Sequence, residues 1–369
     1  MEKKIKITVI GQTPPPYGGQ ALAIENIVNS SFDGIELYHI RMCFSKEMNE
    51  RGKLSLYKIT HLFDIIFKAI LLRFKYNISV LYYPPSNSPK ISVYRDLIIL
   101  FFVRPFYKKT IFHFHAAGIS EYIESSSAVS KWIGKEILNK PSLGVVTSNQ
   151  NPQDPQYLNA VRSVEIPYGI NDDRPKGYVK EYKKSGNLSV FFMGLLNSTK
   201  GEGYLVDAVG ILKKKGVIID VKVAGKFETE EYRNKFFQKI EKNGIAENFE
   251  YLGVITGKKK TEAYMQADLF CFPSFFISES FGIVLIEAMS FHLPLIATKW
   301  RGIQSVVQVA ENGYLVDIKN AEQIADKLSE FNNNPNLLEE YGRKSRELFE
   351  KKYTLSSYIK NLEKEFIKI

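Results

Sequence analysis

Cysteine is scarce: Cys43 and Cys271 are the only two in 369 residues. Two cysteines make neither a disulfide framework nor a thiolate metal cluster, which suits a reducing compartment. No run of about 18 uncharged apolar residues occurs, so no membrane span is expected. The nearest candidates are 54–74, broken by Lys58, His61, Asp64, Lys68 and Arg73, and 97–103, which is too short. The opening MEKKIKITVIGQTPPP is interrupted by lysine too early for a signal peptide and reads as a first strand. GxGxxG and GxxxxGK[ST] are absent, which removes the dinucleotide fingerprint and the P-loop. There is no GxSxG elbow. There is also no Asp-x-Asp, the simplest reason to expect a divalent metal bridging a diphosphate. No nucleic-acid module is recognisable, so nucleic acid is not an expected partner.

What is present fits a globular protein of two domains: 44% hydrophobic, 24% charged, and too long for one ordinary core. Net charge is +10. Residues 1–170 carry twenty Lys and Arg against thirteen Asp and Glu, a balance of +7, and the remainder carries thirty against twenty-seven, or +3. A basic first half suits an anionic membrane surface or an acidic substrate. Residues 54–75 read as a helix with Lys58, His61, Asp64, Lys68 and Lys75 near one face. It is either a core helix with a wet edge or a helix that also touches a membrane.

Short β-branched or aromatic runs alternate with helix-length segments, the rhythm of βαβ units and parallel sheets. Strands are expected at 5–10, 35–40, 78–83, 110–114, 144–147 and 163–166, with helices at 20–29, 54–75 and 94–106. The polar NDDRPKGYVKEYKKSGN, residues 171–187, breaks the rhythm as a linker. Alternation resumes with strands at 188–193, 217–224, 249–252, 269–272 and 293–297. The accompanying helices are at 204–214, 230–243, 261–266, 283–290 and 321–331. The domains expected are 1–170 and 188–355, each Rossmann-like and doubly wound. Such domains bind ligands at their strand carboxyl ends.

The densest chemistry lies in SESFGIVLIEAM, residues 278–289. Residues 283–289 are apolar around a full helical turn, so the helix is buried, yet it carries Glu287. A buried carboxylate must be paired or hydrogen-bonded. Ser278 and Ser280 are candidate caps, and Gly282 allows close backbone approach. Glu279 can accept hydrogen bonds from hydroxyls. The N–H groups of Phe281, Gly282 and Ile283 can hold phosphate at the helix start. Glu287, two turns on, can take a vicinal diol. Sugar, diphosphate and ribose are the parts of a nucleotide-sugar, in that order.

With its neighbours this segment resembles the Glu-x7-Glu motif of glycosyltransferase family 4, retaining enzymes of the GT-B fold. Matching motifs recur in order along most of the chain: ITVIGQTPPPYGGQALAIENIV, IFHFHAAG, IPYGIND, FFMGLLNSTKG, LPLIA and NGYLV. The resemblance implies two Rossmann-like domains facing across a cleft, with a last helix, about 356–369, crossing back to the first. It implies Glu279 and His115 beside the transferred sugar, with His113 the less good match to the histidine. Glu287 would hold the ribose and Lys200 the diphosphate, while Gly18 and Gly19 would let the first loop approach acceptor and donor phosphate. It implies no metal and no cofactor beyond the nucleotide-sugar itself.

The departures are Leu195 in place of an arginine, Tyr168 for an asparagine, His292 for a turn glycine, and Arg301-Gly302-Ile303-Gln304-Ser305 for Gly-Gly-x-Pro-Glu. Arg301 or Lys226 is expected to replace the missing arginine at the donor. Tyr83, ending a strand in Tyr82-Tyr83-Pro84-Pro85, is expected to face the acceptor. Lys258–Lys260 reads as a solvated face, and Phe272, Phe275 and Phe276 as core near a pocket rim. The expected activity is retaining transfer of a hexose-like unit to a glycan or lipid-linked acceptor. The expected setting is cytoplasmic, peripheral at the plasma membrane, in envelope polysaccharide synthesis. The rivals are a non-catalytic nucleotide-sugar-binding protein and a nucleotide-sugar epimerase on the same fold.

Overall fold

The computed structural model describes residues 4–15, 18–44, 56–182 and 186–369. Residues 54 and 55 of the expected helix 54–75, Pro16 and Tyr17 of the expected first loop, and 183–185 of the expected linker lie outside the described residues. The chain divides into two compact units, Met1–Gly169 with Leu355–Ile369, and Ile170–Thr354. The described residues of 171–187 go with the second unit. There Asp172 pairs with Arg346 at 2.7 Å, and Lys180 Nζ donates to the Met265 carbonyl at 3.0 Å.

The first unit's sheet is built from β1 (Ile5–Gly11), β2 (Ile35–Arg41), β3 (Val80–Tyr83), β4 (Lys109–Phe114), β5 (Leu143–Val146) and β6 (Ser163–Glu165). Its order is β2-β1-β3-β4-β5-β6, with every pairing parallel. Every residue of β3 and β5 is buried, which is why these strands read as unbroken apolar runs. The last helix, Leu355–Phe366, belongs to this unit: Glu363 accepts from Gly34 N at 2.7 Å, and Arg162 donates to the Glu365 carbonyl at 2.9 Å.

The second unit holds β7 (Leu188–Met193), β8 (Ile219–Ala224), β9 (Phe249–Gly253), β10 (Leu269–Phe272), β11 (Leu295–Thr298) and β12 (Gly313–Val316). The order is β12-β11-β10-β7-β8-β9, again all parallel. The chain winds outward from β7 through β8 and β9, then returns to β7's other side as β10. The loops leaving β7 and β10 therefore flank the topological switch point, where such sheets bind ligands.

The structure adds elements that apolar periodicity did not announce. These include β12 and the helices Ile119–Glu124, Ala128–Leu138, Asp154–Tyr157 and Pro335–Lys352. It also corrects Tyr83. A strand's last residue was expected to face a ligand, but Tyr83 is fully buried, and its hydroxyl donates at 2.8 Å to Asp96. Asp96 is itself buried and also accepts from Ser86 N and Arg95. Tyr83 is a core residue with a satisfied hydroxyl, not an acceptor contact.

Candidate functional site

The loop after β7 holds Lys200 by backbone geometry. Leu196, fully buried, pairs with Phe227 beyond β8. Asn197 Oδ1 then accepts from Thr199 N and Lys200 N, both at 3.0 Å, closing a tight turn. Gly201 follows at φ +89 and starts the helix Glu202–Lys214. A Cβ there would lie 2.1 Å from the Pro273 carbonyl oxygen, so only glycine lets this loop touch the chain leaving β10.

That neighbouring loop carries Glu279. Phe275 N donates to Thr199 O at 2.8 Å, and Trp300 Nε1 donates to Phe276 O at 2.9 Å. Between these ties Lys200 Nζ meets Glu279 Oε2 at 2.6 Å, with both side chains about one-seventh exposed. The ammonium also lies over the Phe276 ring at 4.6 Å and the Phe272 ring at 5.6 Å. The aromatic cluster thus serves as a floor for the cation.

Gly282, left-handed at φ +82, is the N-cap of the helix Ile283–Ser290. The expected capping by Ser278 is not made, because its buried hydroxyl has no hydrogen-bond partner. Ser280 and Phe281 are buried, and Phe281 packs edge-on against Tyr353. Ile283 is the first helical residue, and Leu285 N is bonded to Gly282 O. Glu287 resolves its awkward place on this apolar helix by pairing. Its Oε1 lies 3.1 Å from Lys260 Nζ, and its Oε2 accepts from the Tyr264 hydroxyl at 2.8 Å. Lys260 is therefore not part of a solvated face; its side chain is one-fifth exposed and also lies 3.8 Å from Asp173.

Beside Lys200, Glu202 is wholly buried, and burial pushes its carboxyl up to about 8 from 4.5. Between those values the folded chain keeps a proton that the unfolded chain has lost. Glu202 therefore makes stability fall as pH rises from about 4.5 to about 8. Glu202→Gln is expected to remove that decline, worth about 1.4 kcal/mol per pH unit at its steepest. Denaturation of both proteins across pH 5–8 measures it, and parallel curves would refute it.

In the first unit His115 sits in a buried aromatic network. Its Nδ1 lies 2.6 Å from the Tyr168 hydroxyl and its Nε2 2.9 Å from the Tyr82 hydroxyl. Tyr82 also meets His113 Nδ1 at 2.9 Å, and the two histidine rings stack at 3.9 Å. Burial pushes His115 down to about 3 and lowers His113 as well, so both are neutral at pH 7. Below pH 6.5 the unfolded chain takes up protons that this cluster refuses, so stability is lost as pH falls from 6.5 toward 3. Replacing His115 with glutamine is expected to flatten that acid limb in thermal melts.

The remaining expected positions fall as follows. Gly18 is extended, φ −176, and a Cβ there would meet nothing within 4 Å, so nothing in the fold requires its missing side chain. Gly19 begins the helix Gly19–Asn29. Lys226 is exposed. Arg301 begins a 3₁₀ turn, Arg301–Ser305, at φ +43 with its guanidinium 5.4 Å from the Trp300 ring. His292 is also left-handed, φ +61, and its ring meets Arg174 at 3.0 Å. Both departures from expected glycines therefore keep a glycine-type backbone. Among the described residues, no group of three His, Cys, Asp or Glu side chains is placed to hold a metal ion.

Residues 174–348 match the family model for glycosyl transferases group 1. That stretch contains both glutamates and Lys200. The chain is 30% identical over 181 residues to a phosphatidyl-myo-inositol mannosyltransferase of Mycobacterium leprae, covering 48% of this chain and 46% of that protein. It is 29% identical to a D-inositol 3-phosphate glycosyltransferase of Paenarthrobacter aurescens, covering 42% of this chain and 38% of that protein. The chain thus aligns with less than half the length of these curated relatives. Among solved structures, it is similar over 99% of its length to sucrose-phosphate synthase of Thermosynechococcus elongatus (99% of that chain, TM-score 0.73, 17% identity). It is similar to the same extent to Anabaena Alr3699/HepE in complex with UDP-glucose (100% of that chain, TM-score 0.73, 16% identity). With its two parallel six-stranded sheets, the chain has the two-domain α/β GT-B fold.

Asn197, Tyr264 and Ser274, whose hydroxyl lies 3.5 Å from Glu279, support the site but were not singled out in the sequence, and Lys260 was read there only as part of a solvated face. Only Asn197 leaves a local signal, an Asx residue just before a helix start.

Proposed function

We propose that the chain is a retaining glycosyltransferase that moves a hexose-like sugar from a nucleotide-diphosphate-sugar to a glycan or lipid-linked acceptor. The observation that carries this reading is the Lys200–Glu279 pair at the switch point of the second unit's sheet, with Glu287 eight residues further on. In this reading Lys200 exchanges Glu279 for the donor diphosphate, assisted by the helix start at Gly282 and Ile283. Glu279, released, accepts from the sugar's hydroxyls. Glu287 takes the ribose diol, held in place by Tyr264 and Lys260.

As the glycosidic bond breaks, negative charge grows on the nucleotide diphosphate, and a fixed ammonium over two aromatic rings stabilises it with little reorganisation. That charge stabilisation needs no metal. Arg301 or Lys226 stands in for the arginine that Leu195 replaces. The first unit would receive the acceptor near Gly18 and Gly19, with His115 a neutral neighbour of the sugar. The setting proposed is the cytoplasmic face of the plasma membrane, in envelope polysaccharide synthesis. The complex of HepE with UDP-glucose makes that donor the first to try.

The test is a panel of nucleotide-sugars with membrane extract as acceptor source, reading nucleotide release and then the product's anomeric configuration by NMR. Release that Glu279→Gln abolishes, with configuration retained, supports the proposal. Binding without release from any donor would replace it with the non-catalytic reading, and inversion would remove retention.

A further inference from the structure

Among the described residues, twenty-two large apolar side chains are exposed, and sixteen of them lie on three helices of the first unit. These are Leu56–Lys75, Lys90–Val103 with its 3₁₀ extension to Phe106, and Ala128–Leu138. The middle helix packs against both others. The rings of Phe74 and Phe106 meet across one seam at 5.9 Å, and the hydroxyls of Tyr94 and Ser130 meet across the other at 3.0 Å. The apolar residues are therefore contiguous, not scattered.

The spacing makes each outer face apolar in its own right. On the first helix Phe63, Phe67, Leu71 and Phe74 recur at helical intervals on the solvent side, while Ile65, Ile66 and Ala69 fill the core side. On the second, Tyr94, Ile98, Phe101 and Phe102 do the same. Trp132, 65% exposed, continues the face on the third. Solvated helices of globular proteins carry charge on that side. A continuous apolar face of this extent marks a surface with a partner.

Charge identifies the partner. Residues 56–109 contain nine Lys and Arg against two acids, Asp64 and Asp96, a balance of +7. This equals the whole surplus of residues 1–170. One acid is buried on Arg95, and the other pairs with Lys68. A second copy docked face to face would set these cations against their equals. An anionic bilayer accepts both parts, with lysines at the headgroups and aromatic and aliphatic side chains below them. No helix of the described residues is long and apolar enough to cross a membrane, so the contact is made from one side.

We infer that this three-helix face inserts into the surface of an anionic lipid bilayer and is the protein's membrane-docking surface. The inference rests on exposure and charge, independently of the transferase reading.

The experiment uses the full chain without any nucleotide-sugar, mixed with vesicles of phosphatidylcholine alone or with added phosphatidylglycerol. Co-sedimentation is expected with the anionic vesicles and is weakened by high salt. Trp132 fluorescence should shift to the blue on binding, and the shift should be lost in Trp132→Phe. Phe67→Asp and Phe101→Asp should each lower partitioning by about tenfold or more, at unchanged circular dichroism. Lys68→Glu with Lys75→Glu should reduce the preference for anionic over neutral vesicles. Failure to bind either vesicle overturns the proposal. If the protein then runs as a dimer that Phe67→Asp dissociates, the face belongs between copies. If it runs as a monomer, the face serves a protein partner. Transfer activity could fail while vesicle binding holds, or the reverse, so the two readings fail separately.

Discussion

Under the proposed function, Lys200→Ala is expected to lower kcat about 10²–10³-fold on whichever donor the protein takes, by analogy with loss of an oxyanion donor. The fall should exceed any change in KM, because the charge Lys200 meets is largest when the leaving diphosphate departs. The substitution does more than remove a cation. Glu279 would be left about seven-eighths buried without its 2.6 Å partner, a costly state for a carboxylate. Lys200→Ala should therefore be compared with Lys200→Ala/Glu279→Gln, which removes both charges. Because Glu279 is itself proposed to contact the sugar, recovery of stability in the double variant measures only the cost of the stranded carboxylate, and the lysine's part in turnover is read from Lys200→Ala alone. If the double variant recovers both stability and turnover, the pair is only structural. Steady-state kinetics alongside chemical denaturation separates the two, and a single variant with unchanged kcat would remove Lys200 from the proposed chemistry.

Gly201→Ala is expected to damage the second unit's site severely for a single added methyl. The residue is left-handed at φ +89, and its Cβ would sit 2.1 Å from the Pro273 carbonyl oxygen. Backbone strain of about 1–3 kcal/mol adds to overpacking of similar size. The total is about 3 kcal/mol or more, a large part of the roughly 5–15 kcal/mol that holds a domain together. The backbone cannot yield cheaply, because Phe275 N on Thr199 O ties the same two loops together beside it. Relief must come from parting the loops, which would carry Lys200 away from Glu279. Denaturant midpoints and donor affinity should therefore fall together. An alanine variant with wild-type midpoint and wild-type activity would show that the loops part freely and that their apposition is not what positions the lysine.

Much of this architecture was legible because parallel strands are buried on both faces. LFCF and LIAT have no polar face to disguise them, and both were read as strands close to their observed bounds. The helix Pro335–Lys352 was not legible. Its sequence is dominated by Glu, Lys and Arg, and its buried set includes Arg346, which pairs with Asp172 and Glu350. Periodicity registers apolar residues and misses a buried arginine satisfied in part by an acid 174 residues away in sequence.

The site divides in the same way. Lys200 and Glu279 stood in recognisable motifs, and they meet. Lys260 sat in a lysine run, and its partner Glu287 lies 27 residues away on another helix, a distance no local pattern spans. Tyr83 failed for the opposite reason: its position suggested exposure, but a buried Asp96 thirteen residues on supplies the acceptor that lets a tyrosine lie inside. His292 and Arg301 looked like lost glycines, yet both retain φ values above +40, so the backbone the glycines would have served survives them.

Lys200 and Glu279 cancel each other's charge, and in the proposed function this would govern what the site ignores. Inorganic phosphate that captures the ammonium strands the carboxylate, and a free sugar that satisfies the carboxylate strands the ammonium. Each fragment alone gains one contact and breaks another. A molecule carrying both parts makes its second contact at the high effective concentration set by its own covalent linkage, on the order of millimolar or above. In the proposed function the pair would act as a coincidence detector, tuned to the covalent joining of sugar and diphosphate and indifferent to the same pieces adrift in solution.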